Sequence, residues 1–159
     1  MSTFVRFSEH SDASRLLEAA LREGPVHGYL FHGPPGVGKR EVARAFARSL
    51  LGTEREFHPD LYELDALGEM IRIDEVRALR HDLHMRPFEA DRRVYLVLDA
   101  HRMNEDAADA LLKDLEEPPP YAVILLVGRG EQRLGSGTGL EGRVEVDAAG
   151  DGVQRIAPS

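Results

Sequence analysis

Gly28-Tyr29-Leu30-Phe31-His32-Gly33-Pro34-Pro35-Gly36-Val37-Gly38-Lys39-Arg40 is the stretch on which the reading of this chain turns. Gly28 to His32 is a short apolar run and reads as a buried strand. Gly33 to Gly38 is too rich in glycine and proline to extend a strand or a helix. Beyond Lys39, Val42, Phe46 and Leu50 recur every four residues, with Ala43, Ala47 and Leu51 beside them, which makes one apolar helix face. Strand, loop and helix in that order enclose the spacing G-x-x-x-x-G-K of a phosphate-binding loop. Its glycines let successive backbone N–H groups point into one concave nest. The helix start near Lys39 adds a positive end, and the lysine ammonium reaches the outer phosphates. The residues expected to contact a nucleotide are Gly33, Pro34, Pro35, Gly36, Val37, Gly38, Lys39 and Arg40. A glycine-rich turn without a ligand accounts for the composition but not for the spacing and the context together.

Position 40 departs from that pattern. A Ser or Thr after the lysine supplies the hydroxyl that ligates magnesium. Arg40 has no lone pair for a metal and brings a positive charge of its own. Phosphate binding is therefore expected more firmly than magnesium coordination, with Arg40 as a candidate counter-charge in place of the metal. The second half of the site is Val94-Tyr95-Leu96-Val97-Leu98-Asp99, an apolar strand ending in an acid. Asp99 then lies at the carboxyl end of a central strand, where ligands bind in open α/β sheets, and is placed to hold magnesium through water.

Further elements surround this pair. Residues 11–22 place Ala13, Leu16, Leu17, Ala20 and Leu21 at helical spacing, and Gly24 and Pro25 stop that helix. Leu61 to Leu64 reads as a second strand. Asp74 is the expected cap of a helix with Val76, Leu79 and Leu83 on its inner face. Asn104 is the expected cap of the next helix, with Leu111, Leu112 and Leu115 inward and Pro118 to Pro120 ending it. Ala122 to Val127 is a fourth strand. Strands alternating with helices predict an α/β fold with a parallel central sheet in three layers. From Gly128 the texture changes: eight of the 15 glycines lie between Gly128 and Gly152. We divide the chain into a nucleotide-binding domain over 1–127 and a glycine-rich tail over 128–159, with one weak strand at 143–146 and a mobile end near Asp147 to Gly152.

The 159 residues suffice for one domain with a core. The formal net charge of −8 lacks the basic excess of a stand-alone nucleic-acid binder. No apolar run approaches membrane-spanning length, no secretory signal is apparent at the N-terminus, and there is no cysteine. The expectation is a cytoplasmic protein with no membrane partner, no disulfide and no zinc site.

Three stretches carry a family resemblance. They are His27 to Lys39, His58-Pro59-Asp60-Leu61, and Asp99-Ala100-His101-Arg102-Met103-Asn104 with Ala107 to Pro119. Together they resemble the bacterial DNA polymerase III clamp-loader subunits, delta-prime first and tau and gamma next, over about residues 10–127. The resemblance implies a P-loop AAA+ fold and ATP as the nucleotide. Its implied partners are the other subunits of a hetero-pentamer and, through that complex, a sliding clamp and primer-template DNA. Active members of this class carry a glutamate after the acid of the third strand; here it is Ala100. The family's four-cysteine zinc module is replaced by Leu51 to Phe57, and its polar residue after the fourth strand by Gly128. The family's arginine motif should fall near Leu140-Glu141-Gly142, counted from Arg133-Leu134, and its arginine is missing. The helical lid and collar are expected to be absent. No catalytic residue and no protein metal ligand set is assigned.

Two basic groups remain, Arg40-Arg44-Arg48 and Arg77, Arg80, His81, His84, Arg86. Each is a candidate for DNA phosphate or a neighbouring subunit, and a solvated helix face accounts for each alone. The expected role is a stator subunit with impaired ATPase chemistry. The alternatives are an active gamma/tau-like ATPase and a shortened, non-functional relic; a P-loop kinase is more distant.

Overall fold

The structure is a computed structural model and describes residues 11–32, 38–66, 69–128 and 152–156. Its elements in chain order are α1 (Ser11–Glu23), β1 (Gly28–His32), α2 (Lys39–Leu51), β2 (Leu61–Leu64), α3 (Ile73–Leu83), β3 (Arg93–Val97), α4 (Glu105–Glu116), β4 (Ala122–Val127) and β5 (Gly152–Arg155). A single turn of 3-10 helix, Ala100–Arg102, links β3 to α4. The strands form one sheet in the order β2-β3-β4-β1-β5. The first four are parallel to one another, and β5 is antiparallel to β1.

Alternation along the strands splits the core into two layers. Tyr29 and Phe31 of β1, Leu96 of β3 and Val123 and Leu125 of β4 pack with Leu17 of α1 and Phe46 and Leu50 of α2. Leu30, Tyr95, Val97, Ile124 and Leu126 face the other way, onto Val76, Leu79 and Leu83 of α3 and Leu111 and Leu115 of α4. The central strands β1, β3 and β4 are buried along their whole length, as strands covered by helices on both faces must be. The Tyr29 and Phe46 rings meet edge to face with centroids 5.2 Å apart, a geometry the aromatic quadrupoles favour.

Helix ends follow local chemistry. The side chain of Asn104 accepts a hydrogen bond from the Ala107 N–H at 2.9 Å, so this expected cap is found. Asp74 is not a cap. α3 begins two residues earlier than that cap implies, at Ile73, and Arg72 takes the cap position in extended backbone. Its N–H donates to Oε2 of Glu75 at 2.9 Å, so the acid of the first turn folds back on the chain entry. The third strand also starts one residue before its expected Val94, at Arg93. That guanidinium is tolerated in the core because it bonds to Asp82 and to the Tyr95 hydroxyl. In α1, Leu17 and Ala20 are buried, but Leu21 is 39% exposed rather than inward.

β5 occupies an edge beside β1 within the stretch set apart as a tail, with Phe31 opposite Val153. The strand expected at 143–146 lies outside the described residues. Gly28 sits beneath this edge. A Cβ there would stand 2.9 Å from Leu115 and 3.1 Å from Ile156, so the close approach of β1 to both is made over a bare backbone.

Candidate functional site

The carboxyl ends of β1, β2, β3 and β4 share one rim of the sheet, because all four strands are parallel. The phosphate-loop residues Gly33, Pro34, Pro35, Gly36 and Val37 lie outside the described residues. The loop's last glycine and the start of α2 lie within them. Gly38 caps α2 in the left-handed region, φ 78°, a conformation that costs a side chain free energy and glycine almost none. Lys39 is the first residue of α2 and Arg40 the second. β1 and α2 therefore enter and leave the loop as the motif requires.

Asp99 comes to the same rim from β3. Its backbone is left-handed, φ 52°, which makes it the one described non-glycine residue with positive φ. Aspartate tolerates that region better than most residues. The turn is pinned by the Arg102 N–H donating to the Asp99 carbonyl at 2.8 Å. The side chain does not hold a metal position open. Its Oδ2 accepts a hydrogen bond from Nη2 of Arg40 at 2.6 Å. The other arm of the same guanidinium lies 3.9 Å from Oδ2 of Asp65. The hydrogen bond to Asp99, reinforced by the charges of Asp99 and Asp65, keeps the Arg40 guanidinium above its ordinary pKa despite partial burial.

Asp65 was not singled out from the sequence. It follows β2 directly, and β2 pairs in register with β3, Leu64 opposite Val97. Two neighbouring strands thus both end in an acid at the phosphate-loop rim. A parallel pairing of the second and third strands, had it been assumed, would have pointed to Asp65.

A magnesium ion does not fit this donor set. Arg40 stands where the motif needs a hydroxyl, and the acid of β3 is committed to Arg40. Mg²⁺ needs oxygen ligands at about 2.0–2.1 Å in near-octahedral order. Among the described residues, no group of three or more histidine, aspartate or glutamate side chains is placed to hold a metal ion. Asp99, expected to hold magnesium through water, bonds to Arg40 in this structure.

Ala100, where a water-polarising glutamate would stand, is fully buried and packs into the α3/α4 layer. Its methyl group is therefore directed into the core and not to the rim. Gly128 follows β4, and its N–H donates to the Phe31 carbonyl at 2.9 Å. The nearest atoms that a Cβ on Gly128 would meet belong to His101, at 3.6 Å or more, an ordinary van der Waals distance.

Two of the three arginines of the α2 stripe, Arg40 and Arg44, turn to the same edge. Arg44 Nε donates to Oε1 of Glu63 on β2 at 2.8 Å. Arg40 and Arg44 thus tie α2 to Asp99 after β3 and to Glu63 of β2. In the second basic group, Arg80 grips Asp114 of α4 with both arms, at 2.6 and 3.3 Å, and Arg77 lies 3.4 Å from Asp74.

A three-layer P-loop α/β domain of AAA+ type is what this sheet order and rim define. Comparison with known proteins gives the family. The family model described as DNA polymerase III, delta subunit, matches residues 9–136, and the chain belongs to that clamp-loader family. It is 35% identical over 132 residues to DNA polymerase III subunit delta' of Pseudomonas aeruginosa, covering 69% of this chain and 39% of that protein. It is 33% identical over 125 residues to DNA polymerase III subunit tau/gamma of Haemophilus influenzae, covering 68% of this chain and 18% of that protein. A solved structure of a DNA polymerase III gamma subunit-related protein from Thermotoga maritima superposes with TM-score 0.64 at 35% identity, covering 72% of this chain and 39% of that one. The chain thus spans well under half the length of these relatives. No helix among the described residues is long and apolar enough to cross a membrane.

Proposed function

We propose that this chain serves as a delta-prime-like subunit of a DNA polymerase III clamp loader, a fixed element of the ring that does not itself turn over ATP. The observation that carries the reading is the 2.6 Å bond between Arg40 and Asp99. It places a side-chain cation between the two halves of the nucleotide site, where an active ATPase keeps a metal ion and its hydroxyl ligand. Ala100 supports the same reading, since a buried methyl group polarises no water. Identity does not separate delta-prime from tau/gamma, at 35% and 33%. The two substitutions favour the non-hydrolysing role.

ATP contact through Gly33 to Lys39 remains part of the proposal, without magnesium. The partners are the other clamp-loader subunits and, through them, the sliding clamp and primer-template DNA in the cytoplasm. The internal pairing of Arg40, Arg44 and Arg80 makes a broad DNA surface on this chain itself unsuited to the role. The test mixes the chain with the tau/gamma-like and delta-like subunits of its own organism. Co-elution in one complex, with turnover unchanged by Lys39→Ala in this chain, supports the proposal. Phosphate release by this chain alone that Lys39→Ala abolishes would make it an active motor. Failure to co-elute would overturn the proposal.

A further inference from the structure

β5 lies at an edge of the sheet and pairs with β1 alone. Its departure would part none of the parallel pairs in β2-β3-β4-β1 and would uncover one whole side of β1. Two things hold it. One is the backbone ladder, from His32 opposite Gly152 to Tyr29 opposite Arg155, continued by the Ile156 N–H donating to the Gly28 carbonyl at 2.9 Å. The other is the Ile156 side chain, 3% exposed, which joins Leu30, Leu115 and Ile124 in the α3/α4 layer. Gly28 makes room for it, since a Cβ there would stand 3.1 Å from Cβ of Ile156.

The strand beneath is unsuited to an open edge. Tyr29, Leu30 and Phe31 are all buried. With β5 gone, the backbone groups on that side of β1 would lose their partners, and such an edge templates pairing with another chain. The slot takes its strand antiparallel, as β5 shows. A twofold axis normal to the sheet would bring β1 of a second copy against β1 in that same polarity, a self-complementary contact.

We propose that β5 is a strap that keeps the β1 edge from pairing with the β1 edge of a second copy of this chain, with Ile156 as its latch. While the latch is seated, the edge is closed and the chain stays single. Once it is unseated, β5 leaves and two copies join through one continuous sheet. Ile156 sits opposite the start of β1, and the phosphate loop follows the other end, so the latch works whatever the nucleotide site does.

Ile156→Asp in the full chain tests the latch, because a carboxylate there loses the apolar contact and resists burial. Two readouts are taken together: oligomeric state by sedimentation velocity across a wide concentration range, and hydrogen exchange of single amides by NMR. Since Ile156 bonds to Gly28, the alternation of an antiparallel ladder turns the Leu30 amide toward β5 as well. The wild type should be monomeric with Leu30 protected. Dilute Ile156→Asp should exchange Leu30 faster by roughly tenfold or more, the effect of one lost isoleucine burial, while Leu96 of β3 keeps its rate. At high concentration the variant should dimerise and Leu30 protection should return. If Leu96 loses protection too, the variant has unfolded, and Ile156→Ala makes the same comparison.

A variant that stays monomeric at every concentration, or that dimerises with Leu30 still unprotected, would overturn the proposal. So would Leu30 exchange unchanged from the wild type, or a wild type that already dimerises through this edge.

Discussion

Replacing Asp60 by asparagine should unseat the loop that leads into β3. Asp60 is fully buried. Its Oδ1 accepts from the Phe88 N–H at 2.6 Å, and its Oδ2 from the Glu89 and Ala90 N–H groups at 2.7 Å each. Nη1 of the buried Arg93 stands 3.6 Å from Oδ1. Burial alone would raise the carboxyl's pKa, but the three N–H donors and Arg93 outweigh it and hold it below the ordinary range. An asparagine can turn its oxygen to Glu89 and Ala90. Its NH₂ then faces the Phe88 N–H and the guanidinium of Arg93. One buried donor loses its acceptor, two bonds lose their charge, and Arg93 keeps only Asp82 as a counter-ion. The sum is about 3 kcal/mol. In urea unfolding at neutral pH, with a slope of roughly 1–3 kcal/mol per molar, the midpoint should fall by about 1–3 M. Because the folded carboxyl has the lower pKa, its stabilisation is present above the unfolded value of about 3.9 and is lost as pH falls through the folded one. The variant should therefore show a shallower loss of stability in acid than the wild type. A midpoint change worth less than about 0.5 kcal/mol, the size of a surface substitution, would refute this account of the loop.

Tyr95→Phe probes the next residue in that network. The hydroxyl donates to the Asp82 carbonyl and accepts from Arg93 Nε, each at 3.0 Å, and burial pushes the phenol far above its usual range. Its loss should cost about 1–2 kcal/mol at pH 7. Stability of the wild type should also decline as pH rises past about 10, where only the unfolded phenol ionises, and decline less in the variant; parallel alkaline limbs would count against this. Ala100→Glu places a carboxylate in the α3/α4 layer and should destabilise by about 3 kcal/mol or more without creating turnover. A stable variant that hydrolyses ATP would show that position 100 can reach the rim.

The sequence made the layers legible where one physical signal dominates. The continuous apolar runs at 28–32 and 122–127 and the four-residue spacing of Val42, Phe46 and Leu50 admit few other placements, and all three appear. Asn104 was legible because its side chain bonds only to its own helix. Asp74 misled because three polar residues, Arg72, Asp74 and Glu75, crowd that helix entry, and the cap went to a backbone N–H reaching Glu75. Arg93 hid the start of β3, since a buried cation is explained by Asp82 and Tyr95, the first a helix away. β5 hid because an edge strand needs backbone partners more than an apolar pattern. In the site, Arg40 and Asp99 were each marked, but their direct bond spans 59 positions, and Asp65 beside the same guanidinium is not selected by periodicity alone.

The central claim is that the nucleotide site works without magnesium and without hydrolysis. Calorimetric titration of the wild-type chain with ATP, in magnesium and again in chelator, tests it most directly, with Lys39→Ala as control. The predicted result is ATP binding with the same isotherm in both buffers, lost in Lys39→Ala, and no phosphate release. ATP binding that tightens in magnesium, with phosphate release lost in Lys39→Ala, would contradict it.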